Sequence, residues 1–538
     1  MAGITYTFQV DWDNDGDFSG ADEDVTARVV EAEWEIGYAR PHDPAAAPGW
    51  LALTLDNADR RFSPEEAAGP LHAGLLPMRY VRVQATAAGV TRTLFYGYVY
   101  RIAPAAGVRG ERTVRLDCVD GMAVLARYPL DLPLQTGRRA DEIIDAIIRS
   151  VAWPPALSGY WVLGVPGHAE LGLTTRLGGA RVYRDFEAGR EVFAHAGDTW
   201  YPEQTTALDA IRQTCASEHG RFHFTREGRA RFLDRHWPQK VHPVSAALSD
   251  AMAGLRYERA MDGVFNEVVT HLNPRVEGSP GSTLWQHRGG PLRLPANSRR
   301  TVRAAFSSAD GLRHGASAVI TPVAGVDFSA NALPDSMGAD LTHDAALSVS
   351  VTPKATGAAI TFQWGYADGA GLVVRGPAFI TALQLRGTPL RAFGPEAFTA
   401  SDALSVTRYQ RRRLDLDAPL LNTPATGRAM AHYALLLHKE PHGGAASVTL
   451  TNSPALAEPV VARTLFDVVR LSETQTGLKA GDYFIIAERH RVSAQGRREP
   501  SAQPHTCTWR LEPIPPFRAW LLGVQGRAAL GQGTYLGF

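Results

Sequence analysis

The sequence has few cysteines, few lysines and no long apolar run. Its three cysteines, Cys118, Cys215 and Cys507, are odd in number and lie far apart within apolar strand or helix patterns. We therefore expect buried, reduced thiols rather than a disulfide framework or a zinc site. No window approaches the roughly 18 consecutive apolar residues of a membrane-spanning helix, and the chain opens without a charged and then apolar leader. These absences predict a protein without a transmembrane segment, made in a cytoplasm.

A net charge is also missing, because 55 basic residues balance 55 acidic ones. Only four of the basic residues are lysines, and the arginines are spread along the chain instead of clustered. The chain therefore lacks the broad electrostatic attraction that non-specific binding to nucleic acid or to anionic membranes requires. We expect no nucleic acid specificity.

The familiar catalytic signatures are absent as well. The sequence contains no GxSxG elbow, no GxxxxGK(S/T) loop, no HExxH and no CxxC. We therefore predict no catalytic residues, no required cofactor and no enzyme activity, and no acidic pair is marked by spacing for glycoside cleavage. Trp285, Trp364 and Tyr366 are candidates for stacking on a sugar ring, although most aromatic residues of β domains belong to the core.

Strand signals dominate what is present. Short alternating or β-branched runs are separated by Gly, Pro, Asn and Asp, and 538 residues exceed what one hydrophobic core usually serves. We predict a mainly β, multidomain α+β fold with a few helices. The expected parts are a β-barrel-like domain (1–125), a mixed α/β domain (126–255), a strand-rich, β-sandwich-like insertion (256–400), a second mixed domain (401–515) and a C-terminal docking segment (516–538).

Three helices are predicted from apolar residues that recur at helical spacing. The first runs from Ala140 to Val151 and stops before Pro154. The second begins at a capping box made by Thr206 and Asp209, and Gly220 is expected as its left-handed terminating residue. The third buries a stripe that includes Met430 and Ala434 and ends before Pro441. All three have the pattern of core helices.

An acidic loop follows the first strand pattern, in which Tyr6, Phe8, Val10 and Trp12 alternate with polar residues. Its residues match the EF-hand spacing of oxygen ligands, and Glu23 stands next to the last position. The matching residues are Asp11, Asp13, Asp15, Asp17 (through its carbonyl), Ser19 and Asp22. A calcium site is one interpretation. The other is a solvated acidic turn, because the flanks are strands and position 12 is Asp rather than Glu.

One segment occurs twice. Residues 161–179 and 520–538 align without a gap, and eleven of nineteen positions are identical. Both copies keep a tryptophan, Leu-Gly steps and glycines, which suggests extended pieces that dock on a partner through a Trp anchor. The candidate docking residues are Trp161, Leu163, Gly164 and Leu177 with Trp520, Leu522, Gly523 and Leu536. The alternative is that each copy folds back on its own domain.

A resemblance to a known family rests on segments spread over most of the chain. They include DWDNDGDF, TLDNADRRFSP, LFYGYVYRIAP and TVRLDCVD in the first 125 residues, and TLFDVVRLSE, KAGDYFIIAERHRV and HTCTWRLEPIP near the end. In this order the segments resemble tail-hub, baseplate-hub-like and minor tail proteins of tailed bacteriophages.

The resemblance implies a structural virion protein at the distal end of the tail. In that family two β-barrel-like domains per chain, in a homotrimer, imitate a sixfold ring that caps the hexameric tail tube. The partners implied are further copies of the chain, the tail tube or distal tail protein, the tape-measure protein, and a tail fibre or receptor-binding protein for host attachment. The alternative function is a glycan-binding or glycan-cleaving adsorption protein of the tail tip, with residues 260–400 as its binding module.

Overall fold

The computed structural model describes residues 4–106, 112–153, 184–308, 310–365, 376–493 and 504–514, and the backbone of 518–520 and 534–536. Strands in several sheets predominate and helices are few, so the predicted mainly β, multidomain fold is confirmed. None of the helices in these ranges is long and apolar enough to cross a membrane. The three cysteines are buried and unbonded, as predicted.

The first part of the chain forms six strands. They are β1 (Thr5–Val10), β2 (Val29–Gly37), β3 (Ala47–Asp56), β4 (Tyr80–Ala87), β5 (Val90–Pro104) and β6 (Thr113–Val119). Successive side chains of a strand point to opposite faces, so the alternation in the sequence becomes one buried face and one wetter face. Tyr6, Phe8 and Val10 of β1 are accordingly buried, and Trp12 is buried just beyond the strand.

Helices enter in the next part. Its elements are α1 (Gly121–Leu125), β7 (Gln135–Arg139), α2 (Ala140–Ser150), β8 (Arg184–Phe186), β9 (Val192–Ala196), α3 (Ala207–Glu218), β10 (Arg221–Phe224) and β11 (Ala230–Leu233). The apolar stripe predicted for α2 is buried from Ile143 to Ile148. The capping box predicted for α3 is present, because Thr206 accepts from the Asp209 amide and the Asp209 carboxylate accepts from the Thr206 amide.

The predicted end of α3 is wrong by one residue. His219, not Gly220, has the left-handed conformation, with φ of 58°. Gly220 is required for a different reason, since a Cβ there would lie 2.7 Å from the Leu233 carbonyl oxygen. Close approach of β11, rather than the helix cap, therefore explains this glycine.

The middle of the chain consists of short strands. They are β12 (Val244–Leu248), β13 (Gly254–Glu258), β14 (Glu267–Leu272), β15 (Arg275–Glu277), β16 (Ser282–Gln286), β17 (Leu292–Leu294), β18 (Ser298–Ala305), β19 (Gly315–Ile320), β20 (Phe328–Asn331), β21 (Leu347–Pro353), β22 (Gly357–Trp364) and β23 (Ala378–Ala392). The long strand β23 pairs with β15, β16, β17, β19 and β20. The sheet β18-β22-β21 packs against it, and we call residues 275–392 the inserted unit.

The last part alternates strands with helices. Its elements are β24 (Glu396–Ser401), α4 (Ala403–Tyr409), β25 (Arg413–Ala418), α5 (Pro424–His438), β26 (Gly444–Thr451), α6 (Ala457–Ala462), β27 (Val468–Glu473), β28 (Leu478–Ser493), β29 (His505–Pro513), β30 (Arg518–Trp520) and β31 (Thr534–Leu536). The third predicted helix is confirmed as α5, which buries Met430 and Ala434.

Both ends of the chain build one sheet. Its strand order is β1-β4-β5-β6-β3-β2-β28-β29-β26-β13, with β27 pairing β28 and β12 pairing β27. The junction is the antiparallel pair β2 and β28, in which Trp34 stands opposite His490. We call this twelve-stranded sheet the main sheet. Its core, which also includes α2 and α3, extends in sequence from Ile4 to Leu511.

Candidate functional site

The acidic loop begins directly after β1 and turns back onto it. Asn14 and Gly16 have φ of 61° and 90°, so the backbone bends sharply between them. The Asp11 carboxylate accepts hydrogen bonds from the amides of Asp15 (3.1 Å) and Gly16 (2.9 Å). Asp11 is therefore fully buried at the centre of the loop instead of pointing to solvent.

The structure brings three of the six predicted ligand residues together and adds a different fourth. Carboxylate oxygens of Asp11, Asp13, Asp15 and Glu23 lie within 4.8 Å of one another. We call these four residues the carboxylate cluster. Among the described residues it is the one group of this kind with the composition of a metal site.

The remaining predicted ligands lie elsewhere in the loop. Asp17 makes a local turn, in which its carboxylate accepts from the amide and the hydroxyl of Ser19 at 2.8 and 2.9 Å. Asp22 has a left-handed backbone, with φ of 70°, and its carboxylate forms an ion pair with Arg61. The side chain of the next residue, Glu23, therefore occupies the place that the EF-hand spacing assigns to Asp22.

Burial makes the charged form of this cluster costly. Burial raises the pKa of Asp11 to about 6, against the effect of the amide hydrogen bonds that it accepts. Burial also raises the pKa of Glu23 to about 7, and the negative charges of Asp11, Asp13 and Asp15 add to this effect. Carboxylates held together in this way repel one another unless protons or a cation neutralise them.

The predicted docking segments lie mostly outside the described residues. Trp161, Leu163, Gly164 and Leu177 of the first copy, with Leu522 and Gly523 of the second, belong to the parts that the structure does not describe. The backbones of Trp520 and Leu536 are opposite each other in the parallel pair β30 and β31. Docking of either copy on a partner remains a prediction.

The aromatic candidates for sugar stacking do not form an exposed platform in the described residues. Trp364 is 1% exposed and belongs to the core of the inserted unit, so that candidate is wrong. Trp285 is partly buried against the same core. Tyr366 lies outside the described residues.

A chain of buried polar groups at the junction of β2 and β28 was not predicted from the sequence. The Tyr6 hydroxyl lies 2.6 Å from Nδ1 of His505, and Nε2 of His505 lies 3.0 Å from Nδ1 of His490. Nε2 of His490 lies 3.3 Å from the carboxylate of Glu488. Arg226 closes the chain, because its Nε donates to the other Glu488 oxygen at 2.5 Å. The signal in the sequence was the run Glu488-Arg-His490 within an apolar strand.

The direction of these hydrogen bonds follows from Glu488, because an ionised carboxylate only accepts. His490 therefore donates from Nε2 and accepts at Nδ1 from Nε2–H of His505, whose own Nδ1 accepts from the Tyr6 hydroxyl. Both imidazoles are neutral in this arrangement. Consistently, burial lowers the pKa of His490 and lowers that of His505 still further. Burial alone would raise the pKa of Glu488, but the Arg226 guanidinium outweighs it and the net shift is downward.

A second buried ion pair connects β10 to β29. Arg221 donates both terminal nitrogens to the Glu512 carboxylate, at 2.9 and 2.6 Å. Burial opposes the charge of Glu512, yet the Arg221 guanidinium dominates and lowers its pKa to about 2. The pair lines a cavity of about 460 Å³ between α3, α5 and β29, where His219 and His438 also lie. This pair joins strands that are distant in sequence.

Comparison with solved structures found similarity to tail proteins at low sequence identity. The 43 kDa tail protein of prophage MuSo2 from Shewanella oneidensis superposes with a TM-score of 0.46 and 9% identity, over 95% of this chain and 98% of that one. A tail protein from Neisseria meningitidis gives 0.44 and 8% over the same shares. Prophage tail protein gp18 from Listeria monocytogenes gives 0.39 and 6%, over 94% of each chain. No family model matches the sequence, and no curated protein matches it either.

Proposed function

We propose that this protein is a structural component of a phage tail, a hub that closes the distal end of the tail tube. One observation carries the proposal. Five of the seven quoted segments contain strands of the single main sheet, namely β5, β6, β27, β28 and β29, and TLDNADRRFSP begins at the end of β3. The motifs that this chain shares with hub proteins are therefore neighbours in one sheet as well as ordered alike along the sequence. This agreement supports the proposed function.

The strands of the main sheet fall into two groups at the β2–β28 junction. β1 and β3 to β6 continue the sheet beyond β2, whereas β29, β26 and β13 continue it beyond β28, and β27 with β12 pairs on the same edge of β28 as β2. We propose that each group supplies one β unit to a ring, so that each chain contributes two. Three chains would supply six units, which matches the symmetry of a hexameric tube. We propose a homotrimer on this basis.

The proposed function is a structural role in tail assembly rather than catalysis of a reaction. The buried groups of the chain from Tyr6 to Arg226 and of the Arg221–Glu512 pair are hydrogen-bonded to one another, and the family resemblance implies a structural role. The partners we propose are the tail tube or distal tail protein, the tape-measure protein and an attached fibre or receptor-binding protein. The site of action is the distal end of the virion tail, after assembly in the host cytoplasm.

The test is the mass and shape of the purified full chain. Light scattering coupled to size exclusion is expected to give three times the 58.2 kDa chain mass, alone or after addition of the tail-tube protein from the same particle. Class averages from electron microscopy are expected to show a ring with six similar lobes. If the chain is a monomer at all concentrations and does not bind the tube protein, the proposal that it is a tail hub is wrong.

The repeated segment extends the proposal to attached chains. Three copies that each carry residues 161–179 and 520–538 would present six docking peptides. Deletion of residues 519–538 is expected to leave the thermal melt unchanged and to abolish pull-down of a tail partner. The opposite result, lost stability with partner binding intact, would mean that the segment docks on its own domain.

One observation favours the alternative of glycan binding. The outward face of the sheet β18-β22-β21 is polar and carries the exposed side chains of Arg299, Thr301, Arg303 and Ser350. Guanidinium and hydroxyl groups are the donors that an acidic polysaccharide requires. A glycan array and an assay for released reducing ends decide between the two functions. If the protein is a hub, we expect no cleavage of polysaccharide.

A further inference from the structure

We propose that Asp11, Asp13, Asp15 and Glu23 bind one Ca²⁺ ion, which fastens the acidic loop to the edge of the main sheet. The inference is independent of the hub function. It departs from the EF-hand spacing at the last ligand, because Glu23 replaces Asp22. The geometry that carries it is the convergence of four carboxylates within 4.8 Å, two of them buried.

The second observation is an unsatisfied oxygen inside the site. Glu23 is 1% exposed, and its Oε2 accepts from the Gly20 amide at 2.7 Å. Its Oε1 is buried and has no hydrogen-bond partner in the described part of the chain. Buried carboxylate oxygens are ordinarily satisfied, so an oxygen without a hydrogen-bond partner beside three other carboxylates is suited to contact a cation.

No basic side chain supplies the missing charge to the buried members. Within the described residues, neither Asp11 nor Glu23 forms an ion pair with an arginine or a lysine. Asp22, by contrast, is paired with Arg61 and is 41% exposed. The loop therefore provides a countercharge for the carboxylate outside the cluster and leaves the two buried ones without one.

The donor set selects the type of ion. All four ligands are carboxylate oxygens, which suit a hard cation and not zinc or copper. Ca²⁺ binds oxygens at roughly 2.3–2.6 Å, so opposite ligands stand up to about 5 Å apart, and the cluster lies within that span. Backbone carbonyls and water complete the six to eight positions that Ca²⁺ ordinarily takes.

The loop covers a strand edge, which gives the ion a structural consequence. β1 pairs with β4 on one side only. On the other side the Val10 amide donates to the Glu23 carbonyl, and the Val25 amide donates to the Phe8 carbonyl, both at 2.9 Å. Glu23 is thus both a ligand and the residue that closes the edge. Bound Ca²⁺ holds this cover in place, and uncovered edges invite pairing with other chains.

The experiment is calorimetric titration of the full chain with CaCl₂ after treatment with a chelator. The wild type is expected to bind one Ca²⁺ per chain, with Mg²⁺ weaker. Glu23→Gln removes the orphan oxygen's charge and is expected to weaken Ca²⁺ binding by about tenfold or more. Asp13→Asn changes an exposed ligand and is expected to weaken Ca²⁺ binding as well. This second variant tests the site without changing a buried residue, so a folding defect does not explain its effect.

Asp22→Asn is the matched control, because it lies in the same loop and is a ligand only under the EF-hand spacing. It is expected to leave Ca²⁺ affinity nearly unchanged. Hydrogen exchange of residues 5–30 is expected to slow on addition of Ca²⁺ in the wild type and in Asp22→Asn, but not in Glu23→Gln. Absence of binding by the wild type, or loss of binding in Asp22→Asn with retention in Glu23→Gln, overturns the proposal.

Discussion

The main sheet and the inserted unit achieve stability in different ways. The core of the main sheet joins residues from both ends of the chain, and the hydrogen bond between Tyr6 and His505 spans 499 positions. The core of the inserted unit is local, since its buried members run only from Leu284 to Leu385. One core therefore requires the whole chain, whereas the other requires about a hundred consecutive residues.

The two cores also differ in charge. In the main sheet, Glu488 and Glu512 are buried and pair with Arg226 and Arg221, which come from β10 and the turn after it, and all four side chains are at most 11% exposed. In the inserted unit the buried Asp327 pairs with Arg386, which is 29% exposed. Buried ion pairs penalise every wrong arrangement that leaves one charge alone. This suits a sheet whose strands must find one another across hundreds of residues.

A buried ion pair connects the inserted unit to an earlier part of the chain. Arg275, at the start of the inserted unit, donates to Asp198 at 3.0 Å, and both side chains are at most 2% exposed. Gly315 packs against the same aspartate, where a Cβ would lie 2.6 Å from the Asp198 Cβ. The boundary is therefore a specific contact and not only a covalent link.

The largest expected effect breaks the main sheet. Arg226→Met leaves Glu488 buried without its countercharge and is expected to lower the free energy of unfolding by about 3–5 kcal/mol. Arg491→Met is the matched control, because Arg491 lies on β28 like Glu488 but pairs with the exposed Glu31, and it should cost less than about 1 kcal/mol. Chemical denaturation measures both. Equal losses would show that the buried pair has no special role.

A large but confined effect is expected in the inserted unit. Trp364→Ala empties a fully buried site and is expected to lower the local free energy of unfolding by about 3–5 kcal/mol. Because this core is local, calorimetry should show an earlier transition for the inserted unit, while the transition of the main sheet is unchanged. A single transition shifted as a whole would mean that the two cores unfold together.

A fall in pH is expected to change the free energy of unfolding through buried histidines in and beside the main sheet. Burial lowers the pKa values of His223, His490 and His505 in the folded protein, while the unfolded chain takes up their protons near pH 6.5. The contribution of these histidines is then full above pH 6.5 and falls below it, by about 1.4 kcal/mol per pH unit for each histidine that stays neutral. Asp11 and Glu23, whose pKa values are raised to about 6 and about 7 in the folded protein, act in the opposite direction. Unfolding of the wild type and of His505→Gln, measured from pH 7.5 to 5, isolates the histidine effect, and equal slopes for the two proteins would contradict the neutral chain.

The smallest effect compares two helix starts. Thr206→Ala removes a capping box at α3 and is expected to cost about 1 kcal/mol. Thr423 occupies the same position before α5, but its side chain makes no capping bond, so Thr423→Ala should cost little. Thermal melts of the two variants measure the difference. Similar losses of stability in the two variants would show that the capping box does not stabilise α3 beyond the packing of the helix in the core of the main sheet.

Local patterns predicted much of this molecule. Alternation in β1, the apolar stripe of α2 and the capping box at Thr206 depend on neighbours in sequence, and the structure confirms each of them. The end of α3 could not be predicted, because the need for Gly220 comes from β11 and not from the helix. The exposed role for Trp364 failed for the same reason, since its burial depends on the opposing sheet.

The acidic loop shows which features the sequence determines by itself and which depend on the tertiary structure. Residue type and spacing alone predicted that carboxylates collect after β1, because turn chemistry and charge are local properties. Only the tertiary structure decided that Glu23 and not Asp22 joins them, since Arg61 draws Asp22 away and the edge of β1 holds Glu23 inward. The buried chain from Tyr6 to Arg226 was likewise decided by the fold, because β1, the turn after β10 and the strand pair β28 and β29 must meet before the chain is complete.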